Sequence, residues 1–142
     1  MTRVRGDDGN ALVEFTYLAV LLMVPLVYVM LTVFQVQKAA FGATEAARQA
    51  SRAYARSADP QDGVERGSAA AALALADQGI TDAPDPSFAC TGGECLTPGS
   101  RVTVTVTYRV TLPVLGLVFG ASGGSIPVTA RHTEYVDRFT AR

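Results

Sequence analysis

The side chains able to do chemistry are few, and their spacing narrows what that chemistry is. The 142 residues hold one histidine, His132, and two cysteines, Cys90 and Cys95. Residues 120–124, "GASGG", spell G-x-S-x-G, but they lie between two strand patterns and not at the strand-to-helix turn of a nucleophile elbow. The "GASGGS" stretch lacks the lysine of a phosphate-binding loop and the spacing of a dinucleotide fingerprint, so it reads as a flexible turn. A lone histidine and two cysteines cannot complete a four-ligand zinc site. His132 falls in a polar strand pattern and reads as a surface residue. The expectation is therefore no enzyme, no catalytic residue, no metal and no cofactor.

Cys90 and Cys95 stand in "FACTGGECL", with Gly92 and Gly93 between them. Glycine permits the positive φ angles that a short closed loop needs. The spacing is not the C-x-x-C of thiol oxidoreductases. A local structural disulfide is the reading, against two free buried thiols, and it suits an exported, oxidising location.

The remaining candidate is a carboxylate. In "GDDGNALVEF", residues 6–15, Glu14 stands five positions after Gly9 and directly before an apolar run. From Phe15 to Gln37, "FTYLAVLLMVPLVYVMLTVFQVQ", no residue is charged. About 20 such residues suffice for a helix to cross the hydrocarbon core of a bilayer. The run is too long for a secretory signal, whose apolar core is about 7–15 residues, and no A-x-A site follows it closely. Thr16, Thr32 and Gln35 are tolerable because a helix satisfies its backbone internally. Pro25 lies inside the span, where it removes a hydrogen bond and kinks the axis. An ionisable residue at such a threshold is a candidate functional site in its own right.

The elements that must position these residues follow from periodicity. After Gln37 comes "KAAFGATEAARQASRAYARS", with Ala43, Ala47, Ala50 and Tyr54 on one side and Glu45, Arg48, Arg52 and Arg56 on the other. That is an amphipathic helix with a narrow, small-residue face. Nothing between Gln37 and Lys38 breaks the chain, so one helix is expected from about residue 11 to about residue 57, on the order of 70 Å long. Pro60 is expected to end it, with Asp59 extended before the proline. A second helix is expected in "DGVERGSAAAALALADQGI", capped by Asp62 with Glu65 as capping-box partner. Ala69, Ala72, Leu73, Ala76 and Ile80 would line one face, and Gly79 would end it. "TDAPDPSFACTGGECLTPGS" reads as loop. "RVTVTVTYRVTL" alternates with period two, placing Val102, Val104, Val106, Tyr108, Val110 and Leu112 on one side. "SIPVTARHTEYV" repeats this through Ile126, Val128 and Ala130, with Pro127 marking an edge or a strand start. The apolar segment between them, with Leu115, Leu117, Val118 and Phe119, has three open placements: back on the sheet, near the membrane, or under another subunit. The fold class is α+β, a long N-terminal transmembrane-plus-stalk helix, a second helix and a small antiparallel sheet.

Charge excludes one partner class. The net charge is −1, with 12 Lys+Arg scattered rather than gathered in a stripe, which argues against nucleic acid. Arg3 and Arg5 precede the span together with Asp7 and Asp8, whereas Lys38, Arg48, Arg52 and Arg56 follow it. That count places the C-terminal side in the cytoplasm. The cysteines, and the expected packing of the later arginines within a folded head, outweigh that count and argue for the opposite orientation, with the N-terminus cytoplasmic and the head exported.

The order basic N-terminus, Gly9, four residues, Glu14, Phe15, apolar helix, amphipathic helix and small disulfide-bearing head resembles the plan of type IV pilin-like precursors. "GNALVEFTYLAVLLMVPL" and "RVTVTVTYRVTLPVLGLVFG" are most similar to the TadE-like minor pseudopilins of the tight-adherence pilus system, and the chain length suits them. Asn10 departs from the phenylalanine many pilins carry there, and Gly6 is a second glycine at the wrong distance from Glu14. The resemblance implies cleavage between Gly9 and Asn10 by a prepilin peptidase, with Glu14 as fifth residue of the product and Phe15 after it. It implies residues 1–9 as leader, 10–37 as transmembrane helix, 38–57 as stalk helix and 58–142 as exported head. It further implies membrane lipid, other pilin or pseudopilin subunits and an inner-membrane assembly platform as partners. Cleavage would create an α-amino group at Asn10, of pKa about 8 and so mostly cationic at neutral pH. Glu14 of a staggered neighbour could meet it, a pairing that sets register more than it adds stability. The competing reading is an uncleaved single-pass sensor or scaffold with a partner-binding head.

Overall fold

The computed structural model describes residues 8–82, 84–112 and 124–138. The apolar segment at 113–120 lies outside the described residues. The chain is α+β, with helices α1 (Asp8–Ala55) and α2 (Pro60–Ala76) and strands β1 (Ser87–Thr91), β2 (Arg101–Thr111) and β3 (Ser125–Tyr135). It divides into two units, Met1–Phe34 and Gln35–Arg142.

In the first unit, large apolar side chains are exposed around the whole helix, from Leu12 at 71 % to Phe34 at 64 %. This is a helix long and apolar enough to cross a membrane. Its threonine hydroxyls are satisfied locally: Thr16 donates to the Leu12 carbonyl at 2.8 Å and Thr32 to the Tyr28 carbonyl at 2.9 Å. Such i−4 bonds let threonine sit in an apolar helix without an orphaned polar group. Helix α1 runs through Pro25 without a break.

The second unit is a two-layer head. Its sheet has the order β1-β2-β3, antiparallel throughout. The expected alternation of β2 holds: Val102, Val104, Val106 and Val110 are buried, as is Leu112 just beyond the strand, while Arg101, Thr107, Arg109 and Thr111 are exposed. Fully burying a valine stabilises by about 1.5–3 kcal/mol, so this one strand anchors the layer. β3 is an edge strand, and Pro127 sits on it opposite Arg109, a position where the missing N–H spoils no central ladder. Against the valines lie Ala39, Ala43, Ala46, Ala47, Ala50 and Tyr54 of α1, all at most 2 % exposed. Ser51 and Ser57 are buried beside them, their hydroxyls donating to the Arg48 and Ala53 carbonyls.

Four expectations change. First, Pro60 begins α2 rather than merely ending α1, since a proline at the first helical position loses only an N–H that has no partner there anyway. Second, the cap is Asp59 and not Asp62: the extended Asp59 accepts from the Gln61 and Asp62 N–H groups at 2.9 Å each. Asp62 instead pairs along the helix with Arg66, at 2.7 Å, which holds its carboxyl below the usual carboxylate range. Third, the buried face of α2 is Gly63, Gly67, Ala71, Ala74 and Leu75, while Leu73 is 67 % exposed and Ala69, Ala72 and Ala76 face solvent. Glycines define that face because aromatic rings fill their space. A Cβ on Gly63 would come within 2.9 Å of the Tyr54 ring, and one on Gly67 within 2.7 Å of the Phe88 ring. Fourth, the Pro/Gly-rich loop contains β1, whose Phe88 stacks on Tyr54 with ring centroids 5.2 Å apart. The end of α2 is as expected: Gly79 has φ +69° and the Ile80 N–H donates to the Leu75 carbonyl at 3.0 Å, the bond of a Schellman cap.

Candidate functional site

The N-terminal candidates sit on the first turns of α1. Helical backbone begins at Asp8, so Gly9 and Asn10 already lie within α1. Glu14 is exposed, with Val13 at 65 %, Phe15 at 73 % and Leu18 at 54 % exposure around it. A carboxylate surrounded by exposed apolar side chains is a poor monomer surface. It is a workable contact surface wherever a cation and hydrocarbon cover it together.

The second candidate feature is a closed disulfide. Cys90 on β1 is bonded to Cys95 in the following loop, with Cα atoms 5.4 Å apart. Gly92 and Gly93 have φ of +85° and +137°, the conformations for which glycine is needed. The bridge ties the Cys90–Val102 pair, next to the end of the β1–β2 ladder, to the connection that follows Thr91. Hydrogen bonds from Gly99 N–H to the Val136 carbonyl and from Val136 N–H to the Ser100 carbonyl tie the same connection to the end of β3. Tyr54 places its hydroxyl 3.9 Å from Cys90 Sγ, and burial pushes its phenol pKa up.

His132 is not simply on the outer surface. It shares the inward parity of Val128 and Ala130 and is half-buried opposite Val104. Its Nε2 lies 3.4 Å from Glu134 Oε2, and Arg52 Nε lies 4.0 Å from the same oxygen. Period-two counting from Val128 would have put it there; its polar neighbours in sequence hid that. The trio orients a carboxylate at the rim of the core and brings no nucleophile to the imidazole. Among the described residues, no three or more His, Cys, Asp or Glu side chains are grouped to hold a metal ion.

The N-terminal candidates Gly9, Asn10, Glu14, Phe15 and Pro25 thus belong to one helix, and Cys90 and Cys95 to the head. On the outward side of the sheet Arg101, Arg109 and Arg131 stand exposed among threonines. No protein-family model, characterised protein or solved structure matches the chain.

Proposed function

We propose that the chain is a minor pseudopilin of the TadE-like kind, acting in assembly or priming of a tight-adherence-type pilus. A prepilin-type peptidase removes residues 1–9 on the cytoplasmic side. The apolar part of α1 then holds the product in the inner membrane, and the head is exported. The observation that carries this reading is one helix on which Gly9 and Glu14 lead directly into an apolar surface exposed on every side. A head that buries its own core while that surface stays bare suits a subunit whose helix is covered by lipid first and by other subunits later. The Cys90–Cys95 disulfide supports export, since such bonds persist in oxidising compartments.

In this reading Glu14 supplies the counter-charge for the amine that cleavage creates at Asn10 of a neighbouring subunit. The partners are lipid, the peptidase, the assembly platform and other pilin-like subunits. The test is the mass of the mature chain with and without the peptidase. Wild type loses residues 1–9, and Gly9→Val stays full length. Equal processing of the two, or none of the wild type in the presence of the peptidase, overturns the assignment and favours the uncleaved sensor or scaffold.

A further inference from the structure

The outward side of the β2–β3 pair carries an ordered chemistry that the assembly role does not use. Its successive cross-strand pairs are Arg101–Tyr135, Thr103–Thr133, Thr105–Arg131, Thr107–Thr129 and Arg109–Pro127. Cation-bearing pairs therefore alternate with hydroxyl pairs. At about 3.4 Å per residue the pairs are about 7 Å apart along the strands, and the cations about 14 Å apart. All three arginines are exposed, and no Asp or Glu occupies an outward position on any of the three strands. The threonines point at each other across the strands, at 2.9 Å for Thr103–Thr133 and 3.2 Å for Thr107–Thr129. Each such pair uses one of its two O–H donors internally, which leaves one donor and several lone pairs for a ligand.

We propose that this face binds an acidic polysaccharide, a linear polymer with carboxylates separated by sugar hydroxyls. Guanidinium groups take carboxylates in forked, charge-assisted pairs. The hydroxyl pairs between them meet the hydroxyls of the intervening sugar. Other polyanions and partners fit less well. A single nucleic acid strand needs aromatic platforms for its bases, and the one outward ring, Tyr135, lies under Arg101 with the guanidinium 5.2 Å from its centre. A folded protein partner would look for large apolar anchors, and a lipid surface for insertable ones; the outward pairs of β2 and β3 supply no aliphatic side chain larger than Pro127. The proposal does not depend on cleavage after Gly9.

The experiment uses the full chain in neutral detergent and follows binding to polygalacturonate, neutral dextran, oligothymidylate and anionic phosphatidylglycerol vesicles. Polygalacturonate should bind in a salt-sensitive way and dextran should not. Each of Arg101→Gln, Arg109→Gln and Arg131→Gln should weaken binding about two- to five-fold, the range of an exposed ion pair. The triple variant should lose on the order of tenfold or more, with unchanged circular dichroism, while Arg48→Gln on α1 binds as wild type does. Thr107→Val with Thr129→Val should also weaken polygalacturonate. Indifference to the threonine change, or equal binding of oligothymidylate or the vesicles, overturns the polysaccharide assignment. Undiminished binding by the triple arginine variant overturns the face itself.

Discussion

Gly67→Ala tests the packing that holds the head together, because two known effects oppose each other there. In a helix interior, alanine is favoured over glycine by about 1 kcal/mol. At Gly67, however, the new Cβ would lie 2.7 and 2.8 Å from Phe88 ring carbons and 3.2 Å from the Ala50 carbonyl oxygen. The ring cannot swing away freely, since it is stacked on Tyr54, and the carbonyl belongs to α1. Overpacking of this kind costs about 1–3 kcal/mol. The net is a loss of about 0–2 kcal/mol, or roughly 0–15 °C in Tm at about 4–8 °C per kcal/mol. Gly42→Ala is the control: its Cβ would meet Gln78 Cγ at 3.2 Å, part of a flexible side chain that can yield, so Tm should rise. The assay is thermal unfolding of the full chain in detergent, followed by near-ultraviolet circular dichroism. Phe88→Leu should remove most of the penalty from Gly67→Ala, giving a positive coupling between the two changes. A rise in Tm for Gly67→Ala matching that of Gly42→Ala would refute the packing argument.

Replacing both cysteines, Cys90→Ser with Cys95→Ser, should cost about 2 kcal/mol, the low end for so short a loop, and should be read as a fall in Tm that reductant reproduces in wild type. Arg66→Gln should release Asp62 toward the ordinary carboxylate range. A carboxyl whose folded pKa is depressed contributes stability above its unfolded value of about 3.9 and loses it as pH falls through the folded value. The Tm curves of wild type and variant should therefore separate above about pH 4 and converge in stronger acid; a constant gap across that window counts against the pair. Glu14→Ala should leave the head's unfolding unchanged and reduce co-purification with other pilin-like subunits and the number of surface fibres. Wild-type assembly by a variant that is still cleaved would remove Glu14 from the mechanism.

The sheet was legible where period two met valine. Arg101–Leu112 alternates so cleanly that its faces needed no tertiary information, and the glycine-rich spacing of Cys90 and Cys95 pointed to their bond. The buried side of α2 was not legible. Counting large and small apolar residues at helical spacing selects Leu73 with its alanine neighbours, yet the buried side is set by Gly63 and Gly67, with Ala71, Ala74 and Leu75 in line. A glycine contributes almost nothing to a hydrophobic pattern. Its value there lies in what it omits, and that depends on rings arriving from α1 and β1. β1 was hidden in the same way: Pro84 and Pro86 precede it and Gly92 and Gly93 follow it, so turn signals outweighed a five-residue strand. Asp59 and Asp62 could each cap a helix, and Pro60 reads equally as a stop or a start. The cation and hydroxyl ribbon needed the register of β3, because Arg131 joins Arg101 and Arg109 only across the ladder.

Helix α1 shows that residue size, and not hydrophobicity alone, separates its two regimes. Both regimes are apolar. Between Leu12 and Phe34 the apolar side chains are mostly Leu, Val, Met and Phe, and they stand 46–74 % exposed on all sides. Between Ala39 and Ala50 the buried ones are alanines, at most 2 % exposed. A fluid hydrocarbon surrounding moulds itself to any side-chain shape, so large residues gain contact area without a fitting penalty. A folded sheet has a fixed surface and is packed as densely as an organic crystal, so only a smooth face can come close to it. The alanine face shares one core with Val102, Val104 and Val106, and the same smoothness recurs on α2 at Gly63 and Gly67. Lys38 stands where the large residues give way to the small ones. On the proposed membrane reading, the helix changes its packing partner without any break in its backbone, and side-chain volume marks the change more clearly than a hydropathy average does.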